Sequence, residues 1–125
     1  ARTLLIDCDL RRGRVHNFTK VLNDLGMTHL LQGHCSIEEA IQKTAVPLLD
    51  VIPRGPITVV TTDLMAQPVF FNLVQKLRGQ YDQIVIDSPP VLGLSETSSF
   101  QRTIDGVVFV VASSSSLLPL WSFIR

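Results

Sequence analysis

The sequence has 125 residues, and its eleven basic residues balance eleven acidic ones to a formal charge of zero. That length holds one domain with a modest core, and the balance removes the electrostatic case for nucleic acid or an anionic membrane surface as a partner. At 46% hydrophobic and 18% charged the chain is apolar for a free-standing soluble domain, whose charged fraction is nearer about a quarter. Cys8 and Cys35 form neither a disulfide framework nor a ligand pair and read as reduced core thiols. No signal-peptide pattern opens the chain, and no apolar run reaches the roughly 18 residues of a membrane span.

In chain order, Arg2–Ile6 reads as a strand, near-continuously apolar as expected when both faces are covered. It leads into Asp7, Asp9, Arg11 and Arg12. Val15 to Leu25 has a weak helical pattern that Asn17, Asn23 and Asp24 dilute and Gly26 breaks. Thr28–Gln32 reads as a helical turn closed by Gly33. Ser36-Ile37-Glu38-Glu39 is a capping box that opens a short helix ending near Lys43. Leu48–Ile52 is the second strand, with its exit at Pro53-Arg54-Gly55-Pro56, and Ile57–Val60 is an extended piece or an edge loop. Thr62 to Ala66 is a turn. Pro68 opens a longer helix through Leu77, with Val69, Phe70, Leu73, Val74 and Leu77 as its buried stripe and Gly79 as its end. Gln83–Ile86 is the third strand, stopped by Pro89 and Pro90. Ser95–Thr103 is a weak helix, Gly106–Ala112 a fourth apolar strand, Ser113–Ser116 a loop, and Leu117–Arg125 an apolar, helix-like element whose Trp121 and Phe123 fit a buried face or one left exposed by truncation. This alternation is the signature of an α/β fold with a doubly wound, mostly parallel sheet.

The chemistry concentrates at two strand exits, LLIDCDLRR (Leu4–Arg12) and IVIDSPP (Ile84–Pro90). Ligands of open α/β sheets bind outside the carboxyl ends of strands, and the two exits are expected to lie side by side. Asp7 and Asp9, two apart, would point the same way on an extended chain. With Asp87 they could hold a hard divalent cation beside a phosphate, with Arg11 as an anion donor. The same residue types also suit carboxylates that cap backbone N–H groups at strand ends, and spacing leaves both readings open. His16, His29 and His34 lack ligand spacing, and no G-x-S-x-G surrounds the serine loop.

An hhhhDxDxR strand followed by an hhhhDxPP strand resembles the bacterial tyrosine kinases, the P-loop autokinases of capsule and exopolysaccharide assembly, and more loosely the MinD/ParA class of deviant P-loop ATPases. LLIDCDLRR matches the Walker A′ box and IVIDSPP the Walker B box. Gly26–Lys43, Leu49–Pro56, Leu73–Val91 and Asp105–Ser113 follow the family between and beyond them. The resemblance implies a P-loop NTPase sheet of the MinD type, with residues 1–125 forming a partial kinase domain that runs from the Walker A′ strand through the strand after Walker B. It implies transfer of the ATP γ-phosphate to tyrosine, with ATP and Mg²⁺ as cofactors. Asp7, Asp9 and Arg11 take the catalytic positions. Arg11, Arg12, Asp87 and Pro89 take nucleotide-binding positions, and Asp9 and Asp87 hold the metal.

The implied partner is a membrane-embedded polysaccharide co-polymerase that acts as activator, at the inner face of the plasma membrane through that partner or a fused domain. Self-association is left open and nucleic acid is not expected. The sequence departs from the family in several places. It has no GxxxxGK[ST], Gly13 replaces the usual proline, and Val60–Met65 lacks the family's Asn-Pro. The only tyrosine, Tyr81, precedes the third strand and reads as a packing residue. A domain without its phosphate-binding loop and strand is expected to leave an apolar slot in the sheet or to fill it by other pairing, and to bind ATP weakly or not at all. The alternative function is a non-catalytic module derived from a P-loop ATPase, or part of a MinD/ParA-type ATPase.

Overall fold

The computed structural model describes residues 2–9, 14–56, 68–88, 106–109 and 120–124. Its elements are β1 (Thr3–Asp7), α1 (Val15–Thr19), α2 (Met27–Leu31), α3 (Ile37–Ala40), β2 (Gln42–Lys43), β3 (Leu49–Ile52), α4 (Pro68–Arg78), β4 (Gln83–Ser88), β5 (Gly106–Phe109) and β6 (Leu120–Ile124). The regions expected at Ile57–Val60, Thr62–Ala66, Ser95–Thr103 and Ser113–Ser116 lie outside the described residues.

The strands form one sheet in the order β2-β3-β1-β4-β6-β5. β1 pairs in parallel with β3 on one side and β4 on the other. β2 and β6 run the opposite way, and β5, antiparallel to β6, shares the direction of β1. This is the mostly parallel α/β sheet expected, in which four strands point their carboxyl ends the same way.

Strand pleating sorts the side chains. Leu4 and Ile6 pair with Ile84 and Ile86, and Ile6 with Ile52, so these residues share one face. All of them join a single buried cluster with Cys8, Met27, Leu30, Leu31, Ala40 and the inner side of α4. An eleven-residue helix is marginal alone in water. α4 is held because Phe70, Leu73, Val74 and Leu77 are buried, each contributing about 1.5–3 kcal/mol of transfer free energy. Its stripe corrects the expectation at one position, for Val69 is 37% exposed and lies outside the buried set. Positions 70, 73, 74 and 77 already complete an i, i+3, i+4, i+7 stripe, so the residue before it falls beyond the edge.

Two further expectations are overturned. α3 forms with its capping box intact, Glu39 N–H donating to Ser36 Oγ at 3.2 Å and Ser36 N–H to Glu39 Oε1 at 3.1 Å. It stops at Ala40 and not near Lys43, because Ile41 is extended and Gln42–Lys43 pair with Val51 and Asp50 of β3. The terminal apolar run is a strand and not a helix. β6 lies between β4 and β5, antiparallel to both. A five-residue run such as LWSFI carries too little periodicity to tell the two apart, and two flanking strands with unpaired edges decide in favour of pairing. The described strands pair from β2 through β5 without a gap.

At the amino ends of the strands, Arg2, Asp50, Tyr81 and Asp82 form a polar clasp. Tyr81, 8% exposed, donates its hydroxyl to Asp50 Oδ2 at 2.7 Å. The Arg2 guanidinium lies 3.6 Å from Asp50 and 5.1 Å from the centre of the Tyr81 ring, and its backbone N–H donates to Asp82 at 2.7 Å. Burial, and then the Asp50 carboxylate, push the Tyr81 phenol up to about 12. The packing role expected of Tyr81 is what forms. Tyr81→Phe is expected to cost about 1.5–2 kcal/mol, since the hydroxyl bonds a charged acceptor, as measured by thermal denaturation. Tyr81 is the only tyrosine, so alkaline absorbance titration reads it alone, and an ordinary midpoint near about 10 would contradict the bond.

Candidate active site

The register of β1 and β4 sets Asp7 directly opposite Asp87, and the ladder continues with Cys8 N–H donating to the Asp87 carbonyl at 2.7 Å. The two strand exits lie side by side, as expected. Pleat parity places both carboxylates with Leu5 and Val85, on the face opposite the main cluster.

Asp7 is fully buried. Its Oδ1 accepts the Asp9 N–H at 3.1 Å and its Oδ2 accepts the Val15 N–H at 3.3 Å. One carboxylate thus ties both ends of the segment that joins β1 to α1. Asp9 lies beyond the strand end, so the extended geometry assumed for the Asp7/Asp9 pair stops at Asp7. Burial, then the nearby Asp87 charge, push Asp7 up to about 7 against the pull of the two N–H bonds. Asp87 rises to about 6, from burial and then from Asp9. The Cys8 thiol, in the main cluster on the other face, is buried and pushed well up, by burial first and then by the carboxylates, which keeps it protonated and inert.

Among the described residues no group of three or more His, Cys, Asp or Glu side chains is arranged to hold a metal ion. A closed protein cage is not what Mg²⁺ requires. It keeps several waters and takes one or two carboxylates together with substrate phosphates. The donor set fits such an ion. Asp7, Asp9 and Asp87 are hard oxygen donors on adjacent strand exits; Asp7 and Asp87 are raised first by burial and second by neighbouring carboxylate charge, and only that second part is what a cation would relieve. Arg11, Arg12 and Pro89 lie outside the described residues. Arg2, near Asp7 in sequence, is at the opposite end of β1.

The segment that follows Asp7 is anchored to it through the Val15 N–H. α1 covers only Val15–Thr19 and stops at Lys20, whose φ of 56° is left-handed. His16 has a ring nitrogen, Nδ1, shut from solvent without a partner. Burial, then the Arg54 charge, lower its pKa. Asn23, read as a helix-weakening residue, pairs through its amide with the backbone of Gly55. An asparagine beside a turn was the available signal, but the partner, 32 positions away, was not readable.

A family model described as an AAA domain matches residues 1–118. The tyrosine-protein kinase ptk of Acinetobacter johnsonii is 39% identical over 95 residues, covering 76% of this chain and 13% of its own. The putative tyrosine-protein kinase EpsB of Ralstonia solanacearum is 33% identical over 117 residues, covering 94% of this chain and 16% of its own. The chain belongs to the AAA domain family, in its bacterial tyrosine-kinase group. The solved kinase domain of the Escherichia coli tyrosine kinase ETK superposes with a TM-score of 0.69 at 33% identity, over 76% of this chain and 37% of that one. The chain thus spans a small part of these kinases and carries the kinase-group fold around the two aspartate-bearing strand exits. No helix among the described residues is long and apolar enough to cross a membrane.

Proposed function

We propose that the chain supplies the Walker A′ and Walker B half of a protein-tyrosine autokinase site, which transfers the ATP γ-phosphate to a tyrosine hydroxyl in the regulation of exopolysaccharide or capsule assembly. The observation that carries this reading is the in-register pairing of Asp7 with Asp87 at the carboxyl ends of two parallel strands. In it, Asp9 and Asp87 would hold Mg²⁺, which would supply charge neutralisation at the transferring phosphoryl group. Asp7, with its carboxyl near about 7, can take a proton from an incoming hydroxyl at neutral pH. The family resemblance assigns Arg11 to the reacting group, and Arg12 and Pro89 to nucleotide binding. A membrane-embedded polysaccharide co-polymerase is the activating partner in this reading, which locates the site at the inner membrane face.

The phosphate-cradling GxxxxGK[ST] loop does not occur among the 125 residues, so this chain by itself is expected to be inactive. Calorimetric titration of the chain with Mg·ATP is expected to show little or no binding, and micromolar binding would overturn the requirement for the loop. In a longer form of the protein that contains the loop, Asp87→Asn is expected to weaken Mg·ATP binding at least about tenfold. Unchanged binding there would favour a non-catalytic module.

A further inference from the structure

The exit of β3 is stitched to the segment between α1 and α2. Met27 N–H donates to the Pro53 carbonyl at 2.8 Å and Thr28 N–H to the Arg54 carbonyl at 3.0 Å. Asn23 adds a side-chain pairing that imitates a strand. Its Oδ1 accepts the Gly55 N–H at 2.8 Å, and its Nδ2 donates to the Gly55 carbonyl at 3.2 Å. That same carbonyl accepts the Arg54 Nη1 at 2.8 Å. Asn23 and Arg54 therefore meet on one oxygen. Gly55 has a φ of +83°, a turn conformation that glycine adopts without strain, so the hydrogen bonds and not the backbone fix its peptide. Arg54 stands two residues past Ile52, which pairs with Ile6. It is thus one strand over from Asp7, and its charge reaches His16 of α1.

We propose that Asn23 is a positioning residue: its amide pins the Gly55 peptide and thereby fixes the Arg54 guanidinium beside α1, at the strand ends that carry Asp7 and Asp87. The proposal goes beyond the kinase reading, because the bonds that make it are internal to the chain. Without Asn23 the Gly55 peptide loses both side-chain bonds, and Arg54 loses the fixed orientation of its acceptor.

The test uses NMR on the 125-residue chain. In the unsubstituted chain the Gly55 amide is expected to exchange at least about tenfold slower than an unstructured amide. Exchange at the unstructured rate overturns the clamp without any variant. In Asn23→Ala, Gly55 exchange is expected to accelerate at least about tenfold and the His16 titration midpoint to move upward, with His29 and His34 as internal references. Arg54→Gln is expected to raise the His16 midpoint as well, and the double variant to raise it no further than Arg54→Gln alone, the non-additivity of residues that act through one another. A lowered melting temperature in Asn23→Ala with the His16 midpoint unmoved would make Asn23 a stabilising residue only and overturn the proposal. None of these readouts involves nucleotide, so their failure leaves the kinase reading standing, and failure of Mg·ATP binding in the longer protein leaves the clamp standing.

Discussion

Asp7→Asn is expected to make the chain more stable at neutral and alkaline pH, by about 1–2 kcal/mol, and, in a longer form that contains the phosphate-binding loop, to abolish the proposed phosphoryl transfer. Asp7 is fully buried and its carboxyl is pushed up to about 7 from 3.8. Between those two values the folded chain binds a proton that the unfolded chain releases, so stability falls as pH rises from about 4 to about 7. A shift of that size corresponds to at most about 4 kcal/mol above pH 7, at about 1.36 kcal/mol per unit. Asparagine removes the charge but can accept only one of the two N–H bonds from Asp9 and Val15, and an unmet buried donor costs about 1–3 kcal/mol. The charge relief wins. Thermal melts at pH 8 are expected to rise by about 3–8 °C, and at pH 4.5 the variant is expected to lose the advantage. Mg²⁺ is expected to stabilise the unsubstituted chain at pH 8 more than the variant. A variant less stable than the unsubstituted chain at pH 8 would mean that capping of the two N–H groups outweighs the buried charge. A residue kept at a cost in stability is what a functional carboxylate looks like, and this measurement separates it from a purely structural cap.

That opposition explains how much of the site could be read in advance. Apolar runs ending in carboxylates identify strand exits, and the pairing of two such exits follows from the parallel sheet. Asp7 opposite Asp87 was therefore within reach. The division of labour among the aspartates was not. Asp7 turns back to bond Asp9 and Val15, a contact eight residues apart through a segment whose path no periodicity encodes. Of the two readings that spacing left open, cation ligation and backbone capping, the structure shows the capping at Asp7, and the raised pKa values keep the cation reading physically motivated beside it.

The fold shows the same boundary between local and distant information. The capping box at Ser36 and the proline-opened α4 are written in adjacent residues, and both form. The end of α3 and the nature of β6 depend on which neighbours are free to pair. Gln42–Lys43 leave the helix because β3 offers an edge. Leu120–Ile124 extend because β4 and β5 lie on either side. Tertiary context overrides weak local preference at both places.

The largest loss of stability is expected from Gly26→Ala. Gly26 is extended, at a φ of −176°, so alanine meets no backbone strain there; the obstacle is space. A Cβ would meet the Pro53 carbonyl oxygen, lie 2.5 Å from Gly55 N and 2.8 Å from Arg54 C. All three are backbone atoms, and no rotamer change can move them aside. The two segments must part, which breaks the bonds from Met27 and Thr28 to the β3 exit at about 1–3 kcal/mol for each buried group left unmet. The sum, about 3–5 kcal/mol, is a large share of the roughly 5–15 kcal/mol that holds a domain together. Gly55→Ala is expected to cost nearly as much, because its φ of +83° disfavours a side chain and the new Cβ would strike the Thr28 hydroxyl, a buried group with no hydrogen-bond partner. Gly79→Ala, with nothing within 4 Å of the added atom, is expected to be close to neutral. Urea denaturation of the three variants checks the order. A Gly26→Ala chain as stable as Gly79→Ala would show that the β3 exit can separate from the α1–α2 connection at little cost. A small loss at Gly26 would also undercut the positioning of Arg54, since Asn23 can hold Gly55 in place only while the two segments stay in contact.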